Sequence, residues 1–222
     1  MISFILAESE LELIPEKLLS HPAVVSSAKR RGKKPAEILL DSNFHHNALR
    51  SIEDGERRGR PDIVHIFLLV VLESIANKRG LIKDVIIHTR NDDVIYVDTK
   101  TRIMRSYNRF VGLIEHLFTE KSENDQQLLK LERGISLENL VKDLGADRVI
   151  VCAKDGKEVN VYSYLESVKD EDIIFIVGGF PKGNFNTDIE KIADELVSIY
   201  DEPLTAWSVA EEIATIYNLL HK

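Results

Sequence analysis

From Arg148 to the C-terminus the chain alternates strand-like and helix-like segments, and this rhythm restricts the fold more than any other feature. Arg148 to Ala153 reads as a strand with a turn after it at Asp155-Gly156. Tyr162 to Ser167 reads as a short helix, and Ile173 to Val177 as a buried strand. A glycine loop follows, then a helix through Leu196, the short segment Val197 to Tyr200, and a last helix from about Thr205 to Leu220. Strands separated by helices have to cross over and run parallel, so the expected fold is α/β with a parallel sheet.

The upstream part is read by the same rules. Residues 2–7 are rich in β-formers and predict a first buried strand. A short helix is expected to open at Pro15 and stop before His21-Pro22. Ile38 to Leu40 reads as a second short strand, ending at Asp41-Ser42, which can cap a helix through Asn47 and Leu49. The run from Ile63 to Ala76 follows Pro61 and is closed by Gly80, so its length favours helix. Val85 to His88 and Val94 to Val97 flank Asn91-Asp92-Asp93 in a hairpin pattern. Lys121 to Asp147 is polar, with short helical stretches.

The 222 residues fit one large domain or a domain with an appendage and suffice for a sizeable core. A composition 44% hydrophobic and 30% charged predicts a soluble globular protein. No apolar run approaches the ~20 residues of a membrane-spanning helix. Met1 leads into Ile-Ser-Phe-Ile-Leu without a basic region and cleavage site, so no secretory signal is expected. The single cysteine, Cys152, permits no intrachain disulfide and fits a reducing cytosol. Its apolar neighbours make it a core residue and not a nucleophile.

The net charge of −8 hides an asymmetry. Lys29 to Arg109 holds 17 Lys/Arg against 11 Asp/Glu, while the rest of the chain holds 12 against 26. A basic middle in an acidic chain suits a protein that grips an anion on one face. The run Lys29-Arg30-Arg31-Gly32-Lys33-Lys34 also reads as a plain solvated loop. Within Thr101 to Phe118, Arg102, Arg105 and Arg109 fall at spacings of three and four, and in a helix they would share one side. Guanidinium forks suit phosphate contacts, and the interleaved Tyr107 and Phe110 offer stacking faces. The segment points to an RNA-facing surface.

Other candidates carry two readings each. Gly178-Gly179-Phe180-Pro181-Lys182-Gly183 follows a buried strand, where open α/β sheets bind ligands, but it is neither a dinucleotide fingerprint nor a P-loop. Tyr200-Asp201-Glu202-Pro203-Leu204-Thr205-Ala206 is a second strand-to-helix loop, with Thr205 as a cap. The two loops either enclose a small ligand or are ordinary connections. Glu73 is the one acidic residue in Phe67 to Ile75. It is either a carboxylate serving a reacting base or a helix-surface residue near Lys78 or Arg79. His45-His46 with Asp41 is too weak a pattern for a metal site, and none is expected.

Together these residues resemble the small-subunit ribosomal RNA pseudouridine N1-methyltransferases, ribosome-biogenesis members of the SPOUT superfamily. The resemblance rests on Leu40-Asp41-Ser42 with His45-His46, Arg58-Gly59-Arg60-Pro61-Asp62-Ile63-Val64-His65, Leu72-Glu73-Ser74 with Asn77 and Gly80, and Ile87-His88-Thr89. It continues with Thr101-Arg102-Ile103 through Arg105, Arg109-Phe110, Gly112-Leu113, Val177-Gly178-Gly179-Phe180 with Gly183, and Pro203-Leu204-Thr205-Ala206. It covers nearly the whole chain.

The resemblance implies a single SPOUT-type domain over residues 1–222, a mostly parallel sheet flanked by helices with a C-terminal trefoil knot. Residues 25–120 would form the basic RNA-facing part and 148–222 the cofactor-binding knot region. It implies a cytoplasmic homodimer using S-adenosylmethionine to methylate N1 of a pseudouridine in small-subunit rRNA, with ribosomal proteins or assembly factors as further partners. Arg60, Arg102, Arg105 and Arg109 would hold RNA. Gly178, Gly183 and the stretch Ile199, Tyr200, Asp201, Glu202, Pro203 and Leu204 would hold the cofactor, with Ala153 closing the adenine side. Glu73 would serve catalysis, although the family pattern has Asp there. A non-catalytic RNA-binding assembly factor and a tRNA methyltransferase are the alternatives.

Overall fold

Residues Ile2 to Ser9 are buried along their whole length, which a strand can be only when both faces of its sheet are covered. The computed structural model describes residues 1–119 and 128–222 and shows how this is done. The strands are β1 (Ile2–Ser9), β2 (Ile82–Thr89), β3 (Asp93–Val97), β4 (Leu129–Arg133), β5 (Arg148–Glu158), β6 (Ile173–Gly178) and β7 (Glu195–Ser198). They form one sheet in the order β4-β3-β2-β1-β6-β5-β7. The strands from β2 to β7 in that order pair parallel, and β3 and β4 add an antiparallel edge.

Successive side chains of a strand point to opposite faces, and the core divides accordingly. Ile2, Phe4 and Leu6 of β1 join Ile173, Phe175 and Val177 of β6 in one cluster. Helices α3 (Pro61–Glu73), α5 (Tyr107–Thr119), α7 (Val161–Val168) and α8 (Ala206–Leu220) cover that face. Phe4 meets Phe67 edge-on at 6.3 Å and Phe175 at 6.0 Å. Each such fully buried ring contributes about 1.5–3 kcal/mol. Ile5, Ala7, Ile174 and Ile176 face the other way, against α6 (Leu137–Leu144). A third cluster joins α1 (Pro22–Arg30) and α2 (Ser42–Leu49) through Val24, Ile38, Leu40 and Ala48.

Several expectations need correction. The short helix after Pro15 is a 3-10 turn, Glu16–Leu18, and it ends before His21-Pro22 as expected, but an unexpected helix, α1, starts at Pro22, because His21 Nδ1 accepts the Ala23 N–H and Pro suits the first helical position. Ile38 to Leu40 forms one bridge, Leu13 to Leu39, and no strand. The long helix after Pro61 breaks at Ser74, whose extended backbone (ψ 151°) caps the short α4 (Ile75–Lys78). The polar stretch after Lys121 contains β4, and its residues 121–127 lie outside the described residues. No α-helix runs up to Leu196; a 3-10 turn at Ile189–Lys191 precedes β7.

Candidate active site

Cys152 of β5 stands opposite Val177 of β6 on one side and Val197 of β7 on the other. Ala153, where β5 leaves its pairing with β6, Gly178 at the end of β6 and the turn at Ile199 after β7 therefore lie side by side, spaced by about 4.8 Å per strand. This is the carboxyl edge of the parallel sheet, where ligands of open α/β sheets bind. The residues 153–156 loop out of β5 before it pairs again, with Lys157 also opposite Val197. A Cβ on Gly156 would lie 2.6 Å from the Val197 backbone, so only glycine admits that approach.

The glycine loop begins tightly. Gly179 donates to the Ala7 carbonyl at 2.7 Å and accepts from the Glu10 N–H at 3.2 Å. Gly183 has φ +86°, a conformation that favours glycine. Residues Tyr200 to Leu204 are exposed and Ile199 is half-buried. A cavity of about 520 Å³, lined among others by Glu158, Asn160, Tyr162 and Glu212, meets this second loop at Ile199 and does not include Gly178. Cys152 is partly buried, and its apolar surroundings push the thiol up to about 12, which suits an inert side chain.

Beneath the loops lies an ionic network that reading the sequence missed. Glu8, Glu10 and Glu12 are buried at the end of β1. Arg57 pairs with Glu8 and Glu10, Arg58 forks onto Glu12 with two bonds of 2.7 Å, and Arg90 reaches Glu10 at 2.8 Å. A usable signal existed: carboxylates at every second position after a buried strand demand cationic partners.

The arginines are arranged differently from the helical expectation. Arg102 and Arg105 lie in the irregular stretch before α5, and only Arg109 is in its first turns; all three are exposed. Helices α3 and α4 hold this stretch. His65 stacks on Phe110 at 4.5 Å and donates from Nε2 to the Met104 carbonyl at 2.7 Å. Asn77 donates to the Thr99 carbonyl at 2.8 Å. Tyr107 donates to Asp41 at 2.5 Å; burial first, then this bond, raises its phenol well above the usual range. Arg60 stands at the N-cap of α3 and is held bidentately by Asp62, which, with Asp41 and Tyr107 nearby, raises its pKa. Arg60 and the arginine stretch thus meet where α3 begins and α5 begins.

Glu73 departs from its expected surroundings. Its side chain is 52% exposed and pairs loosely with Lys78 at 3.4 Å. Arg60 N–H binds the Glu10 carbonyl beyond the end of β1, whereas the chain after α4 returns to the start of β1, Ile2 bonding Leu81. Thirteen residues of helix, about 20 Å, separate the two ends of α3, so Glu73 lies at the amino edge of the sheet. The surface reading of this carboxylate describes its environment. His45 is buried, accepts the Asp41 N–H at 3.0 Å, and is kept neutral by desolvation. No described helix is long and apolar enough to cross a membrane.

The sequence model of the EMG1/NEP1 methyltransferase family matches residues 4–218. The ribosomal RNA small subunit methyltransferase Nep1 of Pyrococcus furiosus is 48% identical over 220 residues, spanning 97% of this chain and 96% of that protein. Its counterpart from Thermococcus sibiricus is 48% identical over 219 residues, spanning 98% and 97%. The crystal structure of Archaeoglobus fulgidus Nep1 bound to S-adenosylhomocysteine superposes with a TM-score of 0.85 at 35% identity, covering 99% and 98% of the two chains.

Proposed function

The chain belongs to the EMG1/NEP1 methyltransferase family, and from that premise we propose that it methylates N1 of a pseudouridine in small-subunit ribosomal RNA, using S-adenosylmethionine, during small-subunit biogenesis. The observation that carries this reading is the shared carboxyl edge. Three adjacent strands offer Ala153, Gly178 and Ile199 there, and the α3 start that presents Arg60 is tied to the same edge through Glu10. A relative bound to S-adenosylhomocysteine, the product left after methyl transfer, supports the choice of cofactor.

The residues present fit such a cofactor. Gly178 is needed under the Phe180 ring, which a Cβ there would crowd at 2.7 Å, and Gly183 turns the loop at φ +86°; both would bring backbone groups toward the cofactor. Exposed Asp201 and Glu202 would offer negative charge to the cofactor's sulfonium cation, and Tyr200, Pro203 and Leu204 would line the same loop. When bound, the cofactor supplies an electrophilic methyl group. The protein's share is orientation: Arg102, Arg105, Arg109 and Arg60 hold RNA phosphates or bases so that the pseudouridine N1 stands in line with that methyl. Glu73 lies at the opposite edge of its own subunit and takes no part in this scheme; the N1 proton passes to water.

The same reading takes residues 25–120 as the RNA-facing part and 148–222 as the cofactor part, with a C-terminal knot, a homodimer, and a cytoplasmic place among ribosomal proteins and assembly factors.

The test is methylation of a short small-subunit rRNA hairpin carrying pseudouridine or uridine, read by nucleoside mass spectrometry. A methyl group on pseudouridine and none on uridine is expected. Alanine at Arg102, Arg105 or Arg109 should weaken RNA binding and reduce the salt slope by about 0.7–0.9 per lost phosphate contact. Equal methylation of both RNAs overturns the pseudouridine assignment. RNA binding without any methyl gain favours a non-catalytic assembly factor, and methylation of tRNA alone favours the tRNA enzyme.

A further inference from the structure

Three buried carboxylates at the end of β1 are a costly arrangement, since each must be paired with good geometry or destabilise the fold. Apolar side chains would hold the same space more simply, so the cost points to what the charges position. The loop from Gly179 to Asp194 contains no strand and no α-helix, only the 3-10 turn at Ile189–Lys191. Its ends are set by backbone bonds, Gly179 to the Ala7 carbonyl and Asp194 to the Val149 carbonyl, and Phe185, Ile189 and Ile192 pack on the core; backbone groups between them are reached by side chains.

Arg57 and Glu8 are those side chains. Arg57 Nε donates to Glu10 Oε1 at 2.7 Å, Nη2 to Glu8 Oε2 at 2.9 Å, and Nη1 to the Asn184 carbonyl at 2.5 Å. Its guanidinium lies 3.8 Å over the Phe180 ring. Asn184 and Phe180 bracket Gly183, so a single side chain touches the loop on both sides of that glycine. Glu8 takes the next stretch, accepting the Asn186 N–H at 2.8 Å and the Thr187 N–H at 2.7 Å. Glu8 itself sits at φ +49°, a backbone conformation that side-chain-bearing residues avoid, and these bonds hold it there. The exposed pair of Lys182 with Glu56 adds a weaker tie between the same two segments.

We infer that Arg57 is a positioning residue of the methyltransferase: with Glu8 it fixes the glycine loop against the segment that carries Arg60, so the loop is set before the cofactor arrives. The inference rests on the reading of that loop as the cofactor site. Only a planar fork can serve two carboxylates, a carbonyl and an aromatic face together; a lysine ammonium offers charge without that geometry. A loop that must be ordered on binding lowers affinity, and a loop already ordered does not.

The experiment uses the full chain with Arg57→Ala and Arg57→Lys. S-adenosylhomocysteine affinity is measured by calorimetry, the S-adenosylmethionine KM and kcat by steady-state methylation, and hairpin RNA affinity alongside. Amide hydrogen exchange at Asn186 and Thr187 reads the loop directly. For Arg57→Ala we expect affinity to fall by about tenfold, KM to rise in step, and kcat at saturation to stay within about twofold. RNA affinity should hold, and both amides should exchange faster. Arg57→Lys should restore only part of the loss. Wild-type affinity or unchanged exchange in Arg57→Ala overturns the inference. If that variant does not fold, Arg57→Lys decides, and a wild-type KM in it overturns the inference equally. Absence of S-adenosylhomocysteine binding by the unaltered chain refutes the cofactor reading, and the exchange rates still decide whether Arg57 holds the loop.

Discussion

Removal of the Glu115 carboxylate should cost about 3 kcal/mol of stability, a figure that follows from its four bonds. Glu115 is fully buried in α5 and accepts from Arg31 Nη1 and Nη2 at 2.6 and 2.5 Å, Lys33 Nζ at 2.7 Å, and the Leu39 N–H at 2.9 Å. In Glu115→Ala the Leu39 N–H is left buried without an acceptor, at about 1–2 kcal/mol. The cationic bonds add about 1.5 kcal/mol, the low end for charged partners, because the Arg31 and Lys33 side chains are 33% and 35% exposed and regain water. Glu115→Gln keeps an acceptor for Leu39 and loses the charge, so about half the loss is expected. Urea unfolding is the assay, with the slope unchanged; at roughly 2–3 kcal/mol per molar for a chain of this size, the alanine midpoint falls by about 1–1.5 M. A loss below about 1 kcal/mol in Glu115→Ala would refute the reasoning. A glutamine variant as unstable as the alanine variant would show that the orphaned amide is not a principal cost.

Two further outcomes follow from residues outside the loops. Glu73→Gln should leave single-turnover methylation within about twofold of the unaltered protein, whereas the ~10²-fold loss usual for a missing general base would return this carboxylate to the chemistry. His45 and His88 are held below the ordinary imidazole range by burial, against the opposing pull of Asp41 and Asp92. The unfolded chain then binds protons more readily. Their stabilising contribution is whole above about pH 6.5 and is lost as pH falls toward the depressed folded values. Urea midpoints should drop between about pH 7.5 and 5.5 more steeply in the parent than in His88→Gln, and equal slopes would count against the assignment of His88.

The strand at Ile173, the cap at Asp41, the hairpin around Asn91 and the final helix all follow from the sequence, and the structure has each of them. These features are local: the period of apolar residues and the hydrogen-bonding reach of a capping side chain span only a few residues. Short blocks such as Arg60-Pro61-Asp62-Ile63 were enough to suggest the family. Sequence reading failed where one local signal had two meanings. The turn after Pro15 does end before His21-Pro22, but Pro22 also opens α1, and the His21 ring together with packing of Val24 decided that second meaning. β4 is polar because an edge strand has little to bury, so its pattern resembled a loop.

The fate of the charged residues was decided by tertiary structure alone. Glu73 sits in an apolar run yet is exposed, while Glu10 and Glu115 are buried. The difference lies in partners from far along the chain: Arg57 is 47 residues from Glu10, Arg90 is 80, and Arg31 is 84 from Glu115. Periodicity assigns a residue to a face, but burying a carboxylate requires a cation at bonding distance, and the folded sheet brings that cation there.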